Sequence, residues 1–282
     1  MLDVSNQAPS SEMSFTEFVG KLIKSSEPTR PQSSNYQIVE NLQDHLKNLD
    51  KAYEYLSSMS EKKKIASSGI EWFLDNFYVI QEAVDLIEDD LPSDYFNKLP
   101  SIQEASGTPR IYHIARGIVA FYQIELVRED LNEFLSAFQE ETPLKMSELW
   151  ALPLMLRLAL IEILSGTIYK LIENESPGIK TDHIKFSGLS DDEIIARSLK
   201  TLLFFDRMDW KEFFEAHSQV NKILRKDPDG VYASMDFSTR DQYRKKIEHL
   251  AEHTNKSETE VSNTAIDLAN DSSGKSDKES HI

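Results

Sequence analysis

The stretch ELWALPLMLRLALIEIL, from Glu148 to Leu164, is the most apolar part of this chain of 282 residues. A helix that crosses a bilayer needs about 20 mostly apolar residues. Here the uncharged run ends at Arg157, and Glu162 follows soon after. On a helix that turns by about 100° per residue these charges point in different directions, so they do not form one polar stripe. The stretch therefore predicts a central helix buried in a larger fold, with Pro153 marking either a late helix start or a kink.

The composition excludes several classes of protein. The chain has no Cys and a formal net charge of −17. Without Cys there is no disulfide framework, no thiol chemistry and no Cys-based zinc site. A strongly acidic chain is poorly suited to nucleic acid or anionic lipid, which attract clustered Lys and Arg. The N-terminus also lacks the pattern of a signal peptide. We expect a cytoplasmic protein with no nucleic-acid partner and no transmembrane segment of its own.

The hydrophobic pattern predicts an all-α fold. Apolar residues recur at steps of three and four along much of the chain, and no stretch alternates for long enough to predict a strand. Ser190, Asp209 and Ser257 are each followed three residues later by Glu, which is the pattern of a capping box at a helix start. The sequence therefore predicts a multi-helix bundle of about nine helices around the central apolar helix. The predicted helical runs include Ile38–Leu56, Ile65–Leu91, Ile111–Val127 and Leu131–Phe138.

Composition also suggests where the folded part begins and ends. The first residues are rich in Ser, Pro and Gln, and the last are polar, so neither end is expected to contribute much to a core. One short helix is expected near the N-terminus, at Phe15–Ile23. A division of the helical domain into two subdomains, at 35–175 and 186–270, stays open. The predicted boundaries are 1–34 for a disordered or weakly structured segment, 35–270 for the helical domain and 271–282 for a polar tail.

Two acidic residues inside apolar runs are the first candidates for chemistry. Asp75 lies in WFLDNFYVI and Glu125 lies in FYQIELV. Buried carboxyl groups can act as a general acid and base, but buried charges also need partners. We predict a structural ion pair between Arg157 and Asp75, with Glu125 as the second choice of partner. A small carbohydrate-active enzyme that uses these carboxylates for glycosyl transfer or hydrolysis stays the alternative.

Three weaker patterns have ordinary structural explanations. Asp227-Pro-Asp229 has the D-x-D spacing of many glycosyltransferases, but KDPDG is also typical of a turn. His249 and His253 share a helix face, yet two ligands do not make a metal site. The aromatic residues between Trp72 and Tyr78 fit either a sugar-stacking platform or a core. We therefore predict no catalytic, cofactor-binding or metal-binding residue and no cofactor.

Longer stretches resemble the N-terminal region of the cyclic β-1,2-glucan synthase family. The resemblance covers about residues 66–270 and keeps the same order along the chain. The matching stretches are EWFLDNFYVIQE (Glu71–Glu82), LPSDYFNKLP (Leu91–Pro100), PRIYHIA (Pro109–Ala115), ELWALPLMLRLALIE (Glu148–Glu162) and a long run from Asp209 to Ala251.

The resemblance implies a place in glucan biosynthesis. Members of this family are large inner-membrane proteins that use UDP-glucose to build β-1,2-glucan, and a helical region precedes their first membrane segment. This chain has no Q-x-x-R-W motif, no multi-span membrane part and no carbohydrate-phosphorylase domain, so no catalytic residue of the family has a matching position here. The resemblance implies a non-catalytic helical module, truncated or stand-alone, that supports or docks onto a membrane-embedded synthase or another protein. Such a module would be cytoplasmic, or peripheral at the inner membrane through its partner.

Overall fold

The computed structural model describes residues 13–31, 37–61, 67–90, 93–96, 98–102, 108–173, 184, 186–254 and 256–279. Over these residues the backbone forms fourteen helices and two short strands, which confirms the predicted all-α class. In chain order the elements are α1 (Phe15–Ser25), β1 (Pro28–Thr29), α2 (Gln37–Glu61), α3 (Ser68–Asp75), α4 (Phe77–Asp90), α5 (Ser93–Phe96), β2 (Ser101–Ile102), α6 (Arg110–Phe121), α7 (Arg128–Glu141), α8 (Met146–Glu173), α9 (Asp191–Arg207), α10 (Trp210–His217), α11 (Gln219–Leu224), α12 (Val231–Ser234), α13 (Phe237–His253) and α14 (Glu258–Glu279).

The described residues contain more helices than the nine or so predicted, because several helices are too short for a hydrophobic period to show. α5 and α12 span four residues each, and α11 spans six. The predicted run Ile65–Leu91 divides at Asn76 into α3 and α4. The side-chain amide of Asn76 donates to the backbone oxygen of Trp72 at 2.9 Å, which satisfies a carbonyl at the end of α3. β1 and β2 pair antiparallel over two residues each, too few for an alternating pattern.

The chain divides into two compact units. Unit 1 comprises residues 1–142 and 151–208, and unit 2 comprises residues 143–150 and 209–282. This division differs from the subdomain boundary between 175 and 186 that the sequence left open. The reason is that α9 packs against α3 and α4, so it belongs with the earlier helices.

The apolar stretch from Glu148 to Leu164 lies in α8, which continues through Pro153. Among the described residues, α8 is the one helix long and apolar enough to cross a membrane, but 89% of its apolar window is buried inside the protein. Protein already covers these apolar side chains, as expected for a core helix. The fully buried residues of α8 include Ala151, Leu152, Met155, Leu156, Ala159, Leu160, Ile161 and Leu164.

The N-terminal segment is more structured than predicted where it is described. Residues 1–12 lie outside the described part, but α1 follows at Phe15–Ser25 and includes the short helix expected at Phe15–Ile23. Its N-terminus is capped by Ser14, whose hydroxyl accepts from the backbone N–H of Glu17 at 3.3 Å. The apolar face of α1 packs against α6 and α7, so tertiary contacts stabilise a segment whose composition suggested disorder.

Helix α14 extends into the predicted tail. It runs from Glu258 to Glu279, so most of segment 271–282 is helical. In unit 2 this helix packs against α11 and α13. A polar sequence that lacks Pro can extend a helix that has already begun, because each added residue costs less than the first turn.

Close approach of α3 and α9 predicts an intolerance to side chains at Gly69. A Cβ added at Gly69 would lie 2.8 Å from the Cα of Asp192, which is backbone and cannot rotate away. We expect Gly69→Ala to lower the free energy of unfolding by about 1–3 kcal/mol, as overpacking does. The matched control is Gly20→Ala in α1, where no atom lies within 4 Å of the added Cβ. Urea unfolding should show a gain of up to about 1 kcal/mol for that control. Equal effects of the two variants would contradict the close contact.

Candidate functional site

Arg157 lies in the buried part of α8 and is paired inside unit 1. Its Nη2 donates to Oδ1 of Asp206 at 3.0 Å, and its Nη1 donates to the backbone oxygen of Pro153 at 3.2 Å. The guanidinium also lies 5.7 Å from the ring centroid of Phe205. Burial lowers the pKa of Arg157, and the hydrogen bond to Asp206 opposes that shift. The ion pair therefore joins α8 to α9 and compensates a charge inside an apolar helix.

The partners predicted for Arg157 are wrong. Asp75 is the last residue of α3, where its side chain is exposed. Glu125 lies beyond the end of α6 and is also exposed, with Oε2 3.8 Å from Nη1 of Arg197. The prediction treated both residues as interior positions of longer helices. Because α3 and α6 end earlier than their apolar patterns do, both carboxylates reach solvent.

A turn stabilised by α9 explains why α6 ends early. Gln123 and Ile124 have φ values of 49° and 73°. This left-handed conformation is rare for a β-branched residue such as Ile124. The backbone oxygens of both residues accept hydrogen bonds from α9. Nη1 of Arg197 donates to Gln123 at 3.1 Å, and Oγ1 of Thr201 donates to Ile124 at 2.6 Å. The sequence has no Gly or Pro at this turn, so nothing local predicted it.

The polar residues of unit 1 that most resemble a functional site form a group that we call the central polar cluster. It comprises His45, Tyr112, Arg116, Glu162 and Ser165. Nη1 of Arg116 donates to Oε2 of Glu162 at 2.7 Å and to the hydroxyl of Tyr112 at 3.1 Å. Nδ1 of His45 lies 3.1 Å from Oγ of Ser165. The cluster thus connects α2, α6 and α8 through side chains that lie within apolar surroundings.

The protonation states of the cluster favour a structural role. Burial lowers the pKa of His45, although the Glu162 carboxylate opposes the shift. Burial, together with that carboxylate, raises the pKa of Tyr112 well above its usual range. At neutral pH the cluster therefore contains one ion pair, a neutral imidazole and a neutral phenol. A neutral His next to a Ser hydroxyl could act as a base, but Ser165 is only 2% exposed, which limits access of a substrate to that hydroxyl.

Unit 2 contains a second charge network, the arginine cluster of Glu215, Arg225, Arg240 and Arg244, in which Arg244 is buried and Arg225 is exposed. Nε and Nη2 of Arg240 donate to the two oxygens of Glu215, each at 2.8 Å, which is a bidentate pair. Nη1 of Arg244 donates to Oε1 at 3.0 Å, and Nη2 of Arg225 lies 3.7 Å from Oε2. Burial acts to raise the pKa of Glu215, but the hydrogen bonds from Arg240 and Arg244 outweigh it and lower the pKa. The cluster joins α10 to α13.

Both clusters were missed in the sequence. Glu162 is an acidic residue in the apolar stretch from Glu148 to Leu164, and Arg116 is a basic residue in the apolar run of α6. A search for opposite charges inside two apolar runs would have found this pair. Arg240 and Arg244 share a helix face at a spacing of four, but Glu215 lies in a different helix, and its pairing depends on tertiary packing.

The D-x-D, the two histidines and the aromatic run occupy a turn, an exposed helix face and a partly buried helix face. Oδ2 of Asp227 accepts from the backbone N–H of Tyr232 at 3.0 Å, and Gly230 has a φ of 66°, so D-x-D lies in a turn. His249 and His253 stack their rings on an exposed helix face. In the aromatic run, Phe73 and Phe77 are buried, whereas Trp72 is partly exposed beneath the ammonium group of Lys200. In the described ranges no three His, Asp or Glu side chains gather as metal ligands.

Comparison with known proteins adds one informative similarity. No protein-family model matches the chain. A curated protein, the cyclic β-(1,2)-glucan synthase NdvB of Rhizobium meliloti (strain 1021), is 27% identical over 293 residues. The match covers 79% of this chain and 10% of NdvB, so the chain spans about a tenth of the length of that relative.

The chain is similar to part of a cyclic β-(1,2)-glucan synthase. This finding confirms the resemblance stated from the sequence stretches. The geometry of the clusters described above is that of paired charges inside helix packing, and it gives no sign of an exposed acid–base pair at these positions.

The Arg157–Asp206 pair predicts a non-additive loss of stability. Arg157→Met should lower the free energy of unfolding by about 3 kcal/mol, the low end of the range for breaking a buried pair. The low end applies because the Asp206 side chain is 30% exposed and can be partly hydrated. Asp206→Asn should then cost less in the Arg157→Met background than in the wild type.

Denaturant unfolding of the single and double variants measures this coupling. Asp75→Asn is the matched control, because Asp75 is exposed and should add independently to Arg157→Met. Coupling of Arg157 to Asp75, with strict additivity for Asp206, would show that the pairing described here is wrong.

Proposed function

We propose that the protein acts in glucan biosynthesis as a non-catalytic helical module that supports or docks onto a membrane-embedded synthase. The observation that carries this proposal is the similarity to NdvB, a cyclic β-(1,2)-glucan synthase, over 79% of this chain. Since the matched region is a tenth of NdvB, the proposed module would supply a part of the synthase function and not the whole of it. Its place would be cytoplasmic, at the inner membrane through its partner.

The use of charged residues inside the two units supports a non-catalytic role. Glu162 is paired with Arg116, Asp206 with Arg157, and Glu215 with three arginines. A general acid usually needs a raised pKa and access to substrate, whereas these carboxylates are neutralised by cations. The alternative enzyme depends on Asp75, Glu125 or the D-x-D, which are exposed or part of a turn.

A chimera tests whether the chain can replace its counterpart. The segment of NdvB that matches this chain is deleted, and this chain is inserted in its place. Membranes are then assayed for incorporation of labelled UDP-glucose into glucan. We expect the deletion to reduce synthesis at least tenfold and the insertion to restore most of it, because a positioning module affects the assembly of the active synthase.

Two controls make the result specific. A helical domain of the same length and unrelated sequence, inserted at the same place, should not restore synthesis. The purified chain alone, incubated with labelled UDP-glucose and Mg²⁺, should form no labelled product. Full activity of the deletion variant would refute a supporting role. Labelled product that disappears in Asp227→Asn or Asp229→Asn would support the enzyme alternative.

A further inference from the structure

Helix α14 begins against the first turn of α8 within unit 2. Glu258 is the first residue of α14, and its Oε2 accepts from the backbone N–H of Met146 at 2.9 Å. Met146 is the first residue of α8, so this N–H has no acceptor within its own helix. The Glu258 side chain therefore caps α8 from a separate helix and forms a specific contact between the two helix starts.

Further acidic groups lie close to this contact. Glu148 is fully buried, and its Oε2 accepts from the backbone N–H of Lys145 at 3.0 Å, at the same helix start. Glu148 and Glu248 of α13 act on Glu258 with like charge, and Lys145 acts with opposite charge. Lys222, the one charged residue of α11, is exposed. A carboxylate charge on Glu258 is repelled by the charges of Glu148 and Glu248, so protonation of Glu258 is favoured.

Burial is the largest cause that raises the pKa of Glu258, and Glu248 and Glu148 add to it. The hydrogen bond from Met146 and the charge of Lys145 oppose the rise, and the net pKa is about 7. A protonated carboxyl group keeps a carbonyl oxygen that can accept from Met146, so the cap survives protonation.

Helix α14 also packs against α11 and α13 within unit 2. Among its residues with described side chains, Val261 and Ser262 are buried, whereas Leu268 is 64% exposed. A helix with so little buried apolar surface opens more readily than the core, and the free energy of a single contact can then change its opening appreciably. Glu258 therefore adds a specific polar contact at the start of α14 to the packing on α11 and α13.

We propose that Glu258 is a proton-sensitive latch that fastens α14 to the start of α8 under acidic conditions and loosens it as the solution approaches neutrality. Between pH 4.5 and about 7 the docked helix binds a proton that the released helix has lost. Docking is therefore strongest below the lower value and weakens as the pH rises, by about tenfold per pH unit inside this window. Above about pH 7 both states are deprotonated, and docking stays at its weakest level. This inference does not depend on the proposed function.

Amide hydrogen exchange of the full chain tests the latch. Exchange rates of peptides from α14 are measured from pH 5 to pH 8, and each is divided by the intrinsic rate at the same pH. We expect protection of α14 in the wild type to fall about fortyfold between pH 5 and pH 7 and to level off above. In Glu258→Gln, which stays neutral and keeps an acceptor oxygen, protection should be nearly independent of pH and higher than in the wild type at pH 8.

Asp267→Asn is the matched control, because it removes one negative charge from an exposed position of the same helix. It should keep the pH dependence of the wild type. The same fall in Glu258→Gln as in the wild type would overturn the proposal. If Glu258→Gln does not dock α14 at any pH, the side-chain carbon resonance of Glu258 in the wild-type protein decides. A titration midpoint near 7 supports the latch, and a midpoint near 4.5 overturns it.

Discussion

The structure depends on compensating charge inside α8, a helix that is otherwise apolar on almost every side. Arg157 and Glu162 both lie on this helix, and each is paired with a residue of another helix, at 3.0 Å and 2.7 Å. A buried charge without a partner costs several kcal/mol, so α8 can be a core helix only if α9 and α6 supply Asp206 and Arg116. The pairs thus select which helices surround α8, while the Leu and Ile side chains supply most of the burial energy.

Unit 2 satisfies its buried charges in a similar way. Glu215 of α10 receives the guanidinium groups of Arg240 and Arg244, and Arg244 also lies over the rings of Phe214 and Phe237. An Arg in such a position combines a planar hydrogen-bonding fork with stacking on aromatic faces, which Lys cannot reproduce. Carboxylates neutralised in this way serve helix packing, which agrees with the non-catalytic role proposed above.

The sequence predicted the features that depend on hydrophobic periodicity over many residues. Its predictions failed where a helix ends within such a pattern and the position of that end determines which residues can pair. The fold class and the burial of the apolar stretch in α8 follow from periodicity over many residues. The partners of Arg157 were wrong because helix ends were wrong: α3 ends at Asp75, and α6 ends at Phe121 before a left-handed turn. That turn is stabilised by Thr201 and Arg197 from α9, far away in sequence. Tertiary contacts of this kind leave no local signal.

The reactivity of a thiol placed in the middle of α8 tests most directly whether protein surrounds this helix. The chain has no Cys, so Ala159→Cys introduces a single thiol at a fully buried position, and Glu88→Cys introduces one at an exposed position of α4. Both variants are treated with a water-soluble maleimide in detergent-free buffer. Because the surrounding helices bury the middle of α8, Ala159→Cys should react at least a hundredfold more slowly than Glu88→Cys and should react fully once urea unfolds the protein. Equal rates under native conditions, or protection that appears only after lipid vesicles are added, would show that protein does not surround this helix.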